Sequence, residues 1–173
     1  MKKCLIVIDM QNDFVTGTLA NKAAEAIIPL IKEKVEAYKA EGNAVWFTRD
    51  THQRDKYAES QEGRKLPIEH CIKGTWGWQI VNDLKPSRKQ TKIIDKPTFG
   101  WNKWKKTKLK SFQEVELVGT CTDICVISNA LAIKAAFPEL TVRVDGKCCA
   151  GLTEEKHKAA LEVMKSCQVE VDE

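Results

Sequence analysis

Lys3-Cys4-Leu5-Ile6-Val7-Ile8-Asp9-Met10-Gln11-Asn12-Asp13-Phe14 is the stretch that decides the fold. Its first half is apolar and β-branched without alternation, the pattern of a strand buried on both faces. At Asp9 it turns into a polar loop. A doubly buried strand belongs in a parallel sheet covered by helices, and the chain beyond it keeps that rhythm. Asn21 reads as an N-cap for a helix in which Ala23, Ala26, Ile27, Leu30, Ile31, Val35 and Tyr38 recur at helical spacing, and Gly42 closes it. Residues 44–48 read as a second buried strand, 91–94, 115–118 and 140–144 as further strands, and 169–171 as a weak sixth. A short helix is expected over 78–84. A longer one covers 123–136 and stops at Pro138, and a third runs from the Thr153 cap to about Ser166. Strands alternating with helices predict an α/β domain with a mostly parallel sheet covered on both faces.

The composition fits one such domain, spanning residues 1–173. Of the 173 residues, 43% are hydrophobic and 30% charged, which is ordinary for a globular chain. No apolar run approaches the ~20 residues of a membrane span. The run 4–8 is also too short for an export signal, so a cytoplasmic home with no membrane partner is expected. Seven cysteines are an odd count and read as free thiols, nucleophiles or ligands in a reducing compartment. The net charge of +4 comes partly from Lys103, Lys105, Lys106, Lys108 and Lys110. This run reads as a solvated face. Trp101 and Trp104 beside it look exposed, open to stacking or an interface, but no nucleic-acid-binding signature accompanies them, and no nucleic acid is expected as partner.

Ligands of open α/β sheets bind beyond the carboxyl ends of the strands. The residues there are Asp9, Asp50, Lys96 and the turn 119–125. Cys125 falls in the first turn of a helix, where the dipole favours thiolate and free N–H groups can hold an oxyanion. The other reading of Cys125 is a small apolar filler. Cys121 and Cys125 have the wrong spacing for a zinc ribbon. Cys148-Cys149 reads as a vicinal pair filling a turn. Asp50-Thr51-His52, with His70 18 residues further on, offers an imidazole and carboxylate set that suits zinc, manganese or iron, and Glu62 is a further candidate ligand. Polar loop packing is the alternative, in a stretch, 49–75, that reads as long and structureless. His157 reads as a surface residue. Asp9 could take a proton from a thiol and Lys96 could stabilise the thiolate, although each alone also reads as an ordinary charge.

Taken together, Ile8-Asp9-Met10-Gln11-Asn12-Asp13-Phe14, Thr48-Arg49-Asp50-Thr51-His52, His70-Cys71-Ile72-Lys73-Gly74-Thr75, Lys96-Pro97-Thr98-Phe99-Gly100 and Gly119-Thr120-Cys121-Thr122-Asp123-Ile124-Cys125-Val126 resemble, in order and over nearly the whole chain, the isochorismatase-like cysteine hydrolases. Within that superfamily the metal set resembles that of the nicotinamidases. The resemblance implies a Rossmann-like three-layer α/β/α fold with six strands and a catalytic triad of Asp9, Lys96 and Cys125. It implies a non-proline cis peptide between Thr120 and Cys121, where the family often has alanine at 121, so that the N–H groups of Cys121 and Cys125 form an oxyanion hole. It implies a divalent metal, zinc first, with manganese or iron as alternatives, on Asp50, His52, His70 and the candidate Glu62. Phe14, Phe99 and Trp101 are implied to wall the substrate, a small carboxamide whose pyridine nitrogen the metal would bind. Self-association into a homo-oligomer is a further trait of the family. The rival expectations are a sibling hydrolase acting on an N-carbamoyl or other carboxamide without metal, and a non-catalytic binding protein on the same fold.

Overall fold

The computed structural model describes residues 2–86 and 91–173. Among these, β1 (Lys3–Ile8), β2 (Ala44–Asp50), β3 (Thr91–Lys96), β4 (Glu114–Thr120), β5 (Thr141–Ala150) and β6 (Glu170–Asp172) form one sheet in the order β3-β2-β1-β4-β5-β6. Every pairing is parallel, so the expected α/β architecture holds and the sheet is more uniform than expected. β1 lies at its centre: Ile6 is in register with Trp46 on one side and Leu117 on the other. Cys4 to Ile8 are wholly buried because helices cover both faces.

The strand period of two divides these side chains between layers. Leu5 and Val7 pack with Ile31 and Val35 of α3 (Ile28–Ala40). Cys4, Ile6 and Ile8 pack with Ala130 and Ile133 of α6 (Ile127–Ala136) and with Leu161 and Met164 of α7 (Glu154–Ser166). Each large aliphatic buried this way contributes roughly 1.5–3 kcal/mol. Three-layer α/β/α packing follows directly from that division.

Several element boundaries differ from the sequence reading, each for a local reason. The helix expected from Asn21 to Gly42 is two, α2 (Lys22–Ala26) and α3, because Pro29 in the first turn of α3 cannot continue a preceding helix. Asn21 does cap α2, its side chain accepting from Ala23 N–H at 2.9 Å, and Gly42 takes φ +73° at the end of α3. β5 runs six residues past 144: pairing jumps from Leu117–Val144 to Gly119–Cys149, so residues 145–148 form an irregularity inside a strand. Cys148 and Cys149 are therefore buried strand residues, not a turn pair. Only Asn82–Leu84 of the 78–84 segment is helical, a single 3-10 turn, because Ile80 is drawn into an extended bridge with Gln11. The stretch 49–75 is not structureless: it holds α4 (Arg54–Tyr57) and α5 (Gln61–Lys65), the latter capped by Ser60. A further short helix, α1 (Asn12–Val15), follows β1. Among the described residues no helix is long and apolar enough to cross a membrane.

At Gly119, β4 passes tightly against the backbone of β1. Its φ is +120°, and a Cβ there would lie 2.2 Å from the Ile8 carbonyl oxygen. Neither the backbone conformation nor the space admits a side chain. Gly119→Ala is expected to lower the unfolding free energy by about 3 kcal/mol or more in a denaturant titration. An unchanged midpoint would mean that the two strands separate freely at this point.

Candidate active site

The strand order brings four carboxyl ends together. Asp9 directly follows β1, Asp50 ends β2, Lys96 ends β3, and Cys125 sits in a π-helical turn (Thr122–Val126) after β4. Asp9 and Cys125 are 116 positions apart in sequence, yet one lysine touches both. Lys96 Nζ lies 2.5 Å from Asp9 Oδ2, 3.6 Å from Cys125 Sγ and 3.9 Å from Asp50 Oδ1. Lys96 and Asp9 are both fully buried. Asp9 adopts φ +47°, an uncommon conformation for a residue with a side chain. It is held there by Thr48, whose hydroxyl donates to Asp9 Oδ1 at 2.6 Å and accepts the Asp9 N–H at 3.2 Å.

Burial pushes the Asp9 carboxyl above its ordinary range; the Lys96 charge opposes this and the Asp50 charge adds to it. For Lys96, burial works against the ammonium, but Asp9, Cys125 and Asp50 outweigh it and hold the proton on. The Cys125 thiol is pushed well above 9, first by burial, against the pull of Lys96 and with Asp9 adding to the rise. The helix dipole is expected to favour thiolate at Cys125, and burial works in the opposite direction. To act as a nucleophile Cys125 would need a base within reach, and Asp9 is the carboxylate that shares Lys96 with it.

A second cluster adjoins the first through Asp50. The ligand atoms of Asp50, His52, Glu62 and His70 all lie within 4.8 Å of one another. His52 Nε2 is 2.8 Å from Asp50 Oδ2, His70 Nε2 is 3.6 Å from the same oxygen, and Glu62 Oε1 is 3.4 Å from His70 Nε2 and 3.7 Å from His52 Nε2. Zinc bonds of about 2.0–2.2 Å put tetrahedral ligand atoms roughly 3.3 Å apart, so the quartet fits an ion of that kind. Asp50 Oδ1 is buried without a hydrogen-bond partner and faces Lys96, whereas Oδ2 is the oxygen turned to the two imidazoles. Burial would raise the Asp50 carboxyl, but hydrogen bonds from His52 and His70 and the Lys96 charge hold it well below the usual range. His70 is pushed up to about 10: burial lowers it, and the Asp50 and Glu62 carboxylates more than compensate. Two carboxylates facing two imidazoles call for positive charge.

The surroundings orient these ligands. His70 Nδ1 faces the Ile68 carbonyl at 2.9 Å and the Tyr57 hydroxyl at 3.2 Å, which leaves Nε2 turned toward the quartet. Gln11 is fully buried and grips the Asp50 backbone at both poles, accepting its N–H at 2.7 Å and donating to its carbonyl at 2.9 Å. Asp13 accepts the Cys71 N–H at 2.7 Å, fixing the loop beside His70 where Cys71 takes φ +48°. Sequence reasoning did not single out Thr48, Gln11, Asp13 or Tyr57. Gln11 and Asp13 lie in the first motif, but their work is done through backbone groups that no spacing rule reveals.

The remaining expected residues fall as follows. The Thr120–Cys121 peptide is cis. Val126 N–H donates to the Cys121 carbonyl, five residues back, at 3.0 Å, which is the π-helical register. Cys121 is half-buried. The ring of Phe14 lies 5.7 Å from that of His70, beside the quartet. Phe99 is 44% exposed on the loop after β3. Trp101 packs edge-on against Trp104, ring centres 5.0 Å apart, and Trp104 is buried, so the pair is not the exposed surface its sequence position suggested. The five lysines of 103–110 are exposed, as expected of a solvated face. His157 is not a free surface residue: it is half-buried, with Nδ1 2.8 Å from the Thr122 hydroxyl.

The chain belongs to the isochorismatase family: the Isochorismatase domain matches residues 3–172. It is 28% identical to the nicotinamidase of Saccharomyces cerevisiae, over 83% of this chain and 86% of that one. It is 31% identical to the uncharacterized isochorismatase family protein PncA of Bacillus subtilis, over 93% of each. The pyrazinamidase of Pyrococcus horikoshii, solved in complex with zinc, superposes with a TM-score of 0.85 at 26% identity, covering 99% of this chain and 98% of that one. The chain is thus an isochorismatase-like hydrolase by family and by fold.

Proposed function

We propose that this chain is a metal-dependent amidohydrolase that converts nicotinamide to nicotinate and ammonia through a thioester on Cys125. The observation that carries this reading is the contact of the two clusters: Lys96, which pairs with Asp9 and Cys125, also lies 3.9 Å from Asp50 of the metal-type quartet. A ring nitrogen and a carboxamide on one small molecule match two such adjacent centres. Asp50, His52, His70 and Glu62 would hold the ion, zinc first, with manganese or iron as alternatives. Bound there, a divalent ion supplies a Lewis-acid point for a ring nitrogen.

The protein's own residues carry the bond chemistry in this scheme. Asp9 takes the proton from the Cys125 thiol, and the sulfur attacks the carboxamide carbon. The N–H groups of Cys121 and Cys125 receive the oxyanion. Asp9 returns its proton to the departing nitrogen, which leaves as ammonia. A water then gives a proton to Asp9 and its oxygen to the acyl carbon; nicotinate departs, and Cys125 recovers its proton. Lys96 balances the negative charge as it moves between sulfur and carboxylate. Phe14, Phe99 and Trp101 supply the walls for the planar ring. The reading places the enzyme in a reducing cytoplasm, where its seven unpaired cysteines stay reduced, recovering nicotinamide for pyridine nucleotide synthesis.

Ammonia release from nicotinamide and pyrazinamide tests the reading, with the protein reconstituted in turn with zinc, manganese and iron. Chelation is expected to lower turnover about 100-fold or more, and the loss should reverse on adding metal back. Chelator-insensitive hydrolysis of an N-carbamoyl compound, with nicotinamide untouched, would move the chain to a sibling activity.

A further inference from the structure

One buried side chain that the scheme above leaves unused joins the loop after β3 to the helix carrying Cys125. Asn129 lies in α6, one turn beyond Cys125, and is 0% exposed. A primary amide offers two donors and two acceptor sites, and Asn129 uses all four. Its Nδ2 donates to the carbonyls of Cys125 at 2.8 Å and Phe99 at 2.9 Å. Its Oδ1 accepts the backbone N–H of Trp101 at 2.9 Å and the indole N–H of Trp104 at 3.1 Å. The partners fix the amide's orientation, because the two carbonyls can only accept and the two N–H groups can only donate.

Gly100, between the clamped residues, records how closely the loop is seated. A Cβ there would meet the Ser128 carbonyl oxygen at 3.0 Å and Ser128 Cβ at 3.2 Å. The other end of the loop is held from the triad itself. Lys96 Nζ donates to the Thr98 carbonyl at 3.2 Å, and the Thr98 hydroxyl donates to the Gly100 carbonyl at 2.7 Å. The segment carrying Phe99 and Trp101 is therefore tied to Lys96 on one side and to the Cys125 helix on the other.

We propose that Asn129 is a positioning residue that docks the Phe99–Trp101 segment on the Cys125 helix and so sets how tightly a planar ring carboxamide is held before the thiol. The proposal rests on the amidohydrolase reading above for its substrate. Only an amide meets the demands of this position. Aspartate would keep acceptors for Trp101 and Trp104 but would face the Cys125 and Phe99 carbonyls with a carboxylate oxygen.

The test is Asn129→Asp in the metal-loaded enzyme, read by kcat and KM for nicotinamide and by backbone hydrogen exchange. KM is expected to rise about tenfold or more with kcat within about threefold. Exchange over 97–106 should accelerate about tenfold or more while β1 and β4 stay as in the wild type. A parallel fall in kcat and faster exchange throughout the sheet would overturn the proposal in favour of general structural damage. Unaltered exchange over 97–106 would also overturn it. A wild type inactive on nicotinamide, whose loop is still released by Asn129→Asp, would support the clamp and remove the substrate reading alone. Should Asn129→Asp fail to fold, Gly100→Ala lifts the loop from the other side without adding charge. It is expected to raise KM about threefold, and an unchanged KM there would overturn the proposal.

Discussion

Cys125→Ala is expected to lower ammonia release from nicotinamide by about four orders of magnitude or more while leaving the protein folded. The two halves of this expectation have separate causes. Turnover depends on a sulfur that forms a bond, and a methyl group cannot form one. Stability depends on what the buried thiol leaves behind. Burial favours the neutral thiol, and removing a neutral group strands no charge. A cavity about the size of one sulfur costs roughly 1 kcal/mol. Lys96 keeps its contacts with Asp9 and Asp50. The measurement is kcat beside a thermal unfolding midpoint. Turnover within tenfold of the wild type would dismiss Cys125 as the nucleophile.

Lys96→Met is expected to harm both quantities. Methionine fills most of the lysine stem but removes the ammonium from a site where Lys96 and Asp9 are both fully buried. Breaking a buried pair from one side typically costs about 3–5 kcal/mol. Turnover is expected to fall about 1,000-fold, because Asp9 then faces Asp50 without a cation between them and holds its proton. The sign of the pH dependence follows from that proton. Burial already raises the Asp9 carboxyl, and loss of the Lys96 charge, which lowers it, raises it further. An unfolded aspartate titrates near about 3.9. Between that pH and the raised folded value the native variant binds more protons than the unfolded chain, so its stability falls as pH rises through the window. Urea titrations at about pH 5 and pH 8 should show the larger deficit at the higher pH. Adding Asp9→Asn to Lys96→Met should recover stability but not turnover. A double variant as unstable as the single one would show that Lys96 acts through packing alone.

The sheet was legible because its central strands are buried on both faces and say so in their composition: 4–8 and 44–47 are apolar without alternation. What misled were residues whose local chemistry was overruled by distant contacts. Asp145-Gly146-Lys147 looks like the end of a strand, yet β5 resumes beside Gly119 and reaches Ala150. Trp104 looks exposed among lysines because its burial depends on α6 and its hydrogen bond on Asn129. Within the candidate site, Asp9, Asp50, Lys96 and Cys125 could be picked out because they follow strands, and His52 and His70 because their imidazoles share one polar loop region with Asp50. Their supports could not. Gln11 and Asp13 act by gripping backbone, and Asn129 by filling four valences at once, and neither task leaves a periodic mark on the sequence.

The strand order also sets a timetable for the ribosome. β1 is made first but lies at the centre of the sheet, flanked by β2 and β4. β2 is complete by Asp50, whereas β4 begins only at Glu114. Over the intervening synthesis the most apolar strand of the protein has one edge without its native partner, and an open, flat, hydrophobic edge is a template for association. The nascent chain is therefore most exposed to aggregation between those two points. Ribosome-bound chains halted near residue 100 should recruit holding chaperones more strongly than chains halted after β4 has cleared the exit tunnel.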